Sequence, residues 1–386
     1  MRRIILLGAS GSIGSQTIDI IKKHRKTFDL VGFTVGSRIE VVDDILNEFP
    51  NVQYIVIKEK SNIYQFEKRY PHIKFNYGDE GLTKIIEEVK CDMVVNALVG
   101  FVGFLPTVKT LELGIDLALA NKESLVVGGE LVNDLIKKYH SHLYPIDSEH
   151  VALAKCLKAG KTVDRLIITA SGGAFRDLDR NQLKDVTVEM ALKHPSWLMG
   201  KKITVDCATM MNKGFEIIEA YYLFNFPLDK IDVLIHDESH IHSLVEFNDG
   251  SYIADIGPAD MRVPISYALF KMRRIKNDFK RLPIEDFWTF HFRKFDPNRY
   301  PCVGYARDAL TIGGTMPAVL NAANEEAVYA FLDKKISFLS IEKIIKNVMQ
   351  KHNVIKSPTI NDLLNANSWA REQAKNLIKK EHDLCY

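Results

Sequence analysis

Ile4-Ile5-Leu6-Leu7-Gly8-Ala9-Ser10-Gly11-Ser12-Ile13-Gly14 places a short apolar run directly before a glycine-rich turn, and a periodic apolar pattern follows over 13–23. Strand, turn and helix in that order are the setting of a dinucleotide loop. Glycines let the backbone approach a pyrophosphate, and free N–H groups at the helix N-terminus carry partial positive charge towards it. The spacing is Gly-x-x-Gly-x-x-Gly, a variant of the usual fingerprint, and the plain alternative is a tight strand-to-helix turn without a ligand. The second apolar run helps choose the cofactor, because NAD sites normally end it with an acid that holds the ribose 2′-hydroxyl. Here Leu30-Val31-Gly32-Phe33-Thr34-Val35 ends in Gly36-Ser37-Arg38. A hydroxyl and an always-charged planar guanidinium suit a 2′-phosphate, so the reading is NADP(H), with Glu40 near enough to leave NAD open.

Outward from this loop, short apolar runs alternate with amphipathic stretches, the pattern of a parallel sheet built from βαβ units. Strands are expected at 4–7, 30–35, 54–57, 93–98, 117–120 and 143–146, with helices at 13–23, 41–49, 82–89 and 124–139. The texture then changes. A strand is expected at 166–170, followed by a polar stretch over 171–202 with little periodicity. The runs 241–247 and 252–256 flank Asn248-Asp249-Gly250-Ser251, a hairpin signal that implies an antiparallel or mixed sheet. Charge, aromatics and prolines mix over 273–302, and from about 307 helical patterns recur at 316–332, 340–352 and 360–380. The expected fold is α/β, with a Rossmann-type parallel-sheet domain over 1–147 and an α+β domain with a mixed sheet over 148–275. A linker over 276–302 and a C-terminal helical bundle over 303–386 complete it, the bundle being a satellite without chemistry of its own.

Composition narrows the function classes. With 46% apolar and 26% charged residues and a net charge of +2, the 386-residue chain reads as a globular protein with no reason to bind nucleic acid. No apolar run reaches the roughly 18 residues of a membrane span, and Met1-Arg2-Arg3 leads straight into the first strand, so no leader is expected. Five scattered cysteines without a Cys-x-x-Cys pair suggest reduced thiols in a cytoplasm.

Two further stretches carry chemistry. Asp147-Ser148-Glu149-His150 follows the last expected strand, and residues two apart on an extended segment point the same way, so Asp147 and Glu149 can present two carboxylates to one point. The ordinary alternative is a helix cap before Val151-Ala152-Leu153-Ala154. Glu216 offers a third carboxylate, and three hard oxygen ligands suit Mg2+ or Mn2+ better than zinc. Asn212 and Lys213 add an amide and a point cation of the kind that holds a phosphate. Ser171-Gly172-Gly173 follows a strand and could turn N–H groups and a hydroxyl to an anion, or be a plain turn. His194-Pro195-Ser196-Trp197 lies in an irregular aromatic loop at about 193–202 that could close over a ligand, or be anchored by Trp197 on the core.

These stretches occur together, in order, with Asn121-Lys122-Glu123, Met261-Arg262-Val263-Pro264, Arg299-Tyr300-Pro301-Cys302 and Leu320-Asn321-Ala322-Ala323-Asn324-Glu325. The ordered set resembles the 1-deoxy-D-xylulose 5-phosphate reductoisomerase family of the methylerythritol phosphate route to isoprenoids, over nearly the whole chain. The resemblance implies metal-dependent rearrangement of 1-deoxy-D-xylulose 5-phosphate and NADPH-dependent reduction to 2-C-methyl-D-erythritol 4-phosphate, usually by a homodimer. By matching position, Asp147, Glu149 and Glu216 would hold the divalent metal, Mg2+ or Mn2+ with Co2+ a further candidate. Lys122, Ser148, Glu149, Ser171, His194, Asn212, Lys213 and Glu216 would meet the sugar phosphate, and Lys122, Glu149, His194 and Trp197 would act in catalysis. Ser10, Gly11, Ser12, Ile13, Gly36, Ser37, Arg38, Asn121, Glu123 and Gly200 would contact NADPH. Cys207 stands where the family commonly has Ser, which puts one phosphate contact in question. A metal-independent NADP-dependent dehydrogenase of semialdehyde type would explain the first domain but not the three carboxylates together.

Overall fold

The computed structural model describes residues 1–384 except 195, 196, 198 and 284–288. The chain divides into two compact units. One comprises Met1–Ser124, Glu130–Val151 and Asp260–Phe279, the other Leu125–Gly129, Ala152–Ala259 and Lys280–Tyr386.

The first unit is built on a seven-stranded sheet of β1 (Arg2–Leu7), β2 (Phe28–Val35), β3 (Tyr54–Ile57), β4 (Lys74–Tyr77), β5 (Met93–Asn96), β6 (Asp116–Leu119) and β7 (Leu143–Pro145). Its order is β4-β3-β2-β1-β5-β6-β7 and every pairing is parallel. This is the Rossmann-like sheet expected from the sequence. The strand order reverses at β1, where open α/β sheets bind ligands. Ile4, Leu6, Leu30, Phe33, Val95 and Ala118 form its buried core with the apolar sides of the flanking helices. β4 was not expected, and the reason is its place at the sheet edge. Lys74, Phe75, Asn76 and Tyr77 are all exposed or half-buried, so no apolar run marks the strand. Helices Tyr64–Arg69 and Phe104–Glu112 also had no sequence expectation.

One segment joins a different unit from the one expected. Helix Arg262–Leu269 lies within 148–275 in the sequence division, yet its Ile265, Ala268 and Leu269 are buried in the core of the first unit. Arg2 donates to the Leu269 carbonyl, and Lys271 pairs with Asp116 at 2.7 Å. Burying Ile265 and Leu269 stabilises the docked helix by about 1.5–3 kcal/mol each, with a smaller contribution from Ala268.

The second unit holds a five-stranded mixed sheet of β8 (Val163–Ala170), β9 (Ile231–His236), β10 (Ile241–Phe247), β11 (Tyr252–Ile256) and β12 (Phe292–Lys294), in the order β11-β10-β8-β9-β12. Only β8 and β9 run parallel. The expected hairpin is present, with Asp249 accepting from the Ser251 amide at 3.0 Å in its turn. Strict burial alternation along β10 shows why it was legible. The polar stretch after β8 leads into helices Lys201–Thr209 and Met211–Phe224, which carry the phosphate candidates. The latter is buried over Met211–Ala220 on every side, so it has no apolar stripe for a periodicity reading to find.

Helices Pro301–Ile312, Met316–Leu332, Phe338–Lys351 and Ile360–Leu384 follow. They are not a satellite with a separate core. Val319, Ala323, Phe338 and Ile345 belong to one cluster with Phe175, Val205, Met211 and Phe215. Polar contacts repeat the message: Asn324 donates to buried Asp206 at 2.8 Å, and Arg180 pairs with Glu342.

Candidate active site

At the cofactor loop, β1 delivers the chain into the 8–14 turn and helix Ser12–Lys23 leaves it. A Cβ on Gly14 would lie 2.1 Å from the Gly8 carbonyl oxygen and 2.7 Å from Ala9 Cα. Only glycine lets the helix start this close to the strand end. Gly11 is the helix N-cap and no side chain caps the first turn, so its N–H groups have no side-chain acceptor and suit an anion. The Thr34 hydroxyl accepts from Gly8 N at 2.8 Å and Ser10 Oγ from Gly36 N at 3.2 Å, which ties the loop to the end of β2. Arg38 donates to the Ser10 carbonyl, and Ser37 and Arg38 are exposed beside the loop. The structure thus brings Ser10, Gly11, Ser12, Ile13, Gly36, Ser37 and Arg38 together.

Asn121 and Glu123 are placed differently. Asn121 is fully buried as the N-cap of helix Lys122–Tyr139, where its Oδ1 accepts from Ser124 N at 3.2 Å. Its Nδ2 donates to the carbonyls of Leu98 at 3.0 Å and Gly100 at 2.9 Å. The Asn121 side chain is therefore committed to holding the 98–100 turn beside the end of β5. Glu123, almost fully buried, accepts from Asn121 at 3.1 Å.

The Asp147 triplet is not the extended pair that the i, i+2 argument assumed. β7 ends at Pro145, and Ser148 and Glu149 already lie in the first turn of helix Ser148–Cys156. Asp147 precedes that helix: its carbonyl accepts from Val151 N at 3.0 Å and its Oδ1 from Ser148 N at 3.1 Å. The capping alternative is thus realised, and it still gathers the charged groups. Lys122 Nζ lies 2.7 Å from Asp147 Oδ2, and Ser148 Oγ donates to Glu149 Oε2 at 2.5 Å. Burial pushes the Asp147 carboxyl up, but the Lys122 ammonium and His150 outweigh it and hold the group well below the usual carboxylate range. His150 had no assigned role in the sequence reading. It is fully buried with Nδ1 3.5 Å from Asp147 Oδ2, and its i+3 spacing in a helix start was the available signal.

In the second unit, helix Met211–Phe224 sets Asn212, Lys213 and Glu216 on adjoining turns. Asn212 and Lys213 both donate to Glu216, whose side chain is 1% exposed against 5% for Lys213. Each oxygen of this buried carboxylate therefore has a donor, which is what lets it stay ionised inside the protein.

Ser171 follows β8 in a turn whose Gly172 and Gly173 both have positive φ. A Cβ on Gly173 would stand 2.5 Å from the Cys207 carbonyl oxygen and 2.7 Å from Ala208 Cα, so glycine lets this turn lie against helix Lys201–Thr209. His194 Nδ1 accepts from Trp197 N at 3.0 Å, which leaves the proton of the neutral ring on Nε2. Nε2 is 3.0 Å from Ser171 Oγ, which also accepts from Gly173 N at 3.2 Å. With both acceptor positions filled, the Ser171 hydroxyl hydrogen remains to be donated, as an incoming anion requires. Trp197 is half-buried, its ring 6.2 Å from that of His242. Pro195 and Ser196 of the proposed lid lie outside the described residues. Gly200 caps helix Lys201–Thr209, and Cys207 is half-buried within that helix.

The family model described as 1-deoxy-D-xylulose 5-phosphate reductoisomerase matches residues 4–129. Its C-terminal domain model matches 143–224, and a second model, described as DXP reductoisomerase C-terminal domain, matches 256–373. A curated 1-deoxy-D-xylulose 5-phosphate reductoisomerase of Macrococcus caseolyticus is 48% identical over 367 residues, which is 94% of this chain and 96% of that protein. Among solved structures, the Zymomonas mobilis reductoisomerase in complex with NADPH is 36% identical with a TM-score of 0.90, covering 98% of this chain and 99% of that one. A reductoisomerase with NADPH, fosmidomycin and magnesium is 35% identical with a TM-score of 0.89, covering 98% of both chains.

Proposed function

Because the chain belongs to the 1-deoxy-D-xylulose 5-phosphate reductoisomerase family, we propose that its carboxylates and phosphate candidates serve the reaction of that family on a bound sugar phosphate. The protein is an NADPH-dependent enzyme that rearranges 1-deoxy-D-xylulose 5-phosphate and reduces the product to 2-C-methyl-D-erythritol 4-phosphate, with a divalent metal such as Mg2+. The observation that carries the residue assignment is the pair of donor-satisfied carboxylates, partly buried Asp147 beside Lys122 and buried Glu216 beside Lys213. Such groups stay ionised without water, the condition for hard-cation ligands.

Asp147, Glu149 and Glu216 are the metal ligands in this reading, with Mn2+ and Co2+ as substitutes for Mg2+. When bound, the metal supplies Lewis acidity to adjacent substrate oxygens and NADPH supplies hydride. The protein's own groups do the rest. Lys122 and Ser148 hydrogen-bond the hydroxyketone end, and Lys122 lies where it can hold or return a proton at a substrate oxygen. Lys213, Asn212 and Ser171 grip the phosphate, and His194 orients Ser171 through Nε2. That remote grip contributes binding energy towards orientation of the reacting carbons. Trp197 would shield the site and keep water from a reactive aldehyde. The 8–14 loop takes the pyrophosphate of NADPH, Ser37 and Arg38 its 2′-phosphate, and Gly200 is a further contact to the cofactor. Asn121 and Glu123 shape the cofactor site through the 98–100 turn. In domain terms most of 1–147 serves the cofactor while its Lys122 and Asp147 serve substrate and metal, as does 148–259, and 276–302 leads into a supporting helical part at 303–386.

The deciding assay follows NADPH absorbance with 1-deoxy-D-xylulose 5-phosphate. Substrate-dependent oxidation should stop on adding a chelator and return with Mg2+. Oxidation that survives the chelator would favour the metal-independent dehydrogenase, which nothing in the full-length likeness supports.

Cofactor choice gives a separate expectation. Arg38→Ala should raise the KM for NADPH by about ten- to a hundredfold, the loss of a charge-assisted bond worth about 1.5–3 kcal/mol, and leave that for NADH nearly unchanged. Equal effects on both cofactors would remove Arg38 from the 2′-phosphate.

Cys207 is read as a weak donor at the edge of the phosphate grip. A thiol-alkylating reagent should then inactivate the enzyme, with a phosphonate analogue protecting it. Cys207→Ser should be resistant and keep its substrate KM or lower it slightly. Inactivation persisting in Cys207→Ser, or a clearly raised KM, would place the thiol in the core instead.

A homodimer fits the edge strand β11, where Tyr252, Ile253 and Ile256 are exposed. Light scattering on the purified chain reads this directly. No helix among the described residues is long and apolar enough to cross a membrane, and the free cysteines suit a cytoplasmic setting.

A further inference from the structure

Within the second unit, next to the Ser171 turn, is a cavity of about 380 Å³ that the proposed reaction does not use. Arg176, Arg180, Arg293, Lys294 and Arg299 line it, with Tyr300 and the carboxylates Asp179 and Asp296. Most of this charge is already matched. Arg180 pairs with Glu342, Arg293 with Asp177 and Asp237 at 2.7 and 2.6 Å, and Arg176 with Asp177 at 3.4 Å. The two lining carboxylates are engaged by backbone: Asp179 caps the turn Arg180–Asp185, and Asp296 accepts from Asn298 N at 2.9 Å.

Arg299 is the exception. It is half-buried, makes no ion pair among the described residues, and spends one N–H on the Phe175 carbonyl at 3.0 Å. Its guanidinium lies 4.8 Å from the Tyr300 ring, and burial pulls its pKa down. The charges of Glu342 and Asp296 act on it without ion-pair contact among the described residues, burial outweighs them, and a bound anion relieves that cost. Lys294, exposed at the rim, also lacks an ion pair among the described residues. A second feature favours negative charge at the same place. Helix Pro301–Ile312 starts at the cavity wall with Tyr300 as N-cap, and no side chain caps its first turn.

We propose that this cavity is a second anion site, distinct from the catalytic phosphate grip, which takes a phosphate-class dianion through the Arg299 fork. Its volume exceeds a bare phosphate and leaves room for the small organic part of a phosphomonoester. The site is mechanically tied to Ser171. Arg176 donates to the carbonyls of Ser171 at 3.3 Å and Asp237 at 2.9 Å, and the Tyr300 hydroxyl donates to the Gly172 carbonyl at 3.5 Å. Lining side chains therefore hold the same 171–175 backbone that presents the Ser171 hydroxyl, and an anion drawn to Arg299 acts on that support.

Calorimetry on the full-length enzyme tests this, with Mg2+, NADPH and saturating fosmidomycin occupying the catalytic site and glycerol phosphate or inorganic phosphate as titrant. One equivalent of titrant should still bind, and Arg299→Gln should weaken it about tenfold or more, as expected for a lost charge-assisted pair. Arg299→Lys should fall between, because a point charge replaces a planar fork. Tighter binding of glycerol phosphate marks a phosphomonoester site, and equal binding of inorganic phosphate marks a site for the free ion. If Arg299→Gln does not fold, Lys294→Gln at the exposed rim carries the same comparison. No binding of either titrant, or unchanged affinity in the Arg299 and Lys294 variants, overturns the proposal. Blocking with fosmidomycin rests on the catalytic reading above. Should fosmidomycin itself not bind, that reading fails separately, and the Arg299-dependent equivalent is then counted without it.

Discussion

Glu149→Gln should lower kcat/KM for 1-deoxy-D-xylulose 5-phosphate by about a thousandfold, since Lewis-acid help is worth several kcal/mol in such reactions. The substitution keeps the size of the side chain and its hydrogen bond from Ser148, and removes one negative charge. A hard divalent ion binds charged oxygen more tightly than an amide, so metal affinity and turnover should fall together. Mn2+ in excess should restore part of the rate, because it lies above Mg2+ in affinity for mixed oxygen and nitrogen donors. Metal affinity is to be measured by calorimetry without substrate, so that binding is read apart from catalysis. Normal affinity in Glu149→Gln would remove this residue from the ligand set, even if the rate had dropped.

The second large effect is expected at Lys213, where function and stability share one ion pair. Lys213→Gln leaves Glu216 buried with Asn212 as its remaining assigned donor. Stranding a buried charge typically costs about 3–5 kcal/mol, so the metal-free variant should unfold at clearly lower urea. A divalent ion bound to Glu216 supplies positive charge where the ammonium was lost. Saturating Mg2+ should therefore recover much of that stability in Lys213→Gln and add less to the wild type. Substrate KM should rise about ten- to a hundredfold at the same time, through the lost contact to phosphate. A stability loss that Mg2+ leaves untouched would mean that Lys213 is a core cation unconnected with the metal.

These two residues also show how the sequence could be read. Lys213 and Glu216 were legible as phosphate and metal candidates from residue type and order, although their helix was not. The surrounding helix is buried on all sides, so no period separates an inner from an outer face. Asp147 and Glu149 were named for a geometry that the chain does not adopt. They serve instead as the residue before a helix and a member of its first turn, a local choice made by Val151 N closing onto the Asp147 carbonyl. Asn121 marks the opposite case. The family resemblance puts it among cofactor contacts, and the fold adds that its amide holds the carbonyls of Leu98 and Gly100.

The sequence alone determined what neighbours along the chain dictate. Alternating apolar runs specified the parallel sheet, Gly14 the close start of the first helix, and Asn248-Asp249-Gly250-Ser251 the hairpin. Burial periodicity and turn chemistry act over a few residues, so a linear string records them. Tertiary structure decided matters that depend on distant partners. It assigned helix Arg262–Leu269 to the first unit's core, and merged the C-terminal helices with Phe175 and Phe215. It set His194 Nε2 against the Ser171 hydroxyl, and left Arg299 partly buried with no carboxylate in ion-pair contact among the described residues. The physical reason is common to all four. A buried apolar face or polar group is stable only against a specific partner, and the partner's place in space is set by packing of the whole chain rather than by its place in the sequence.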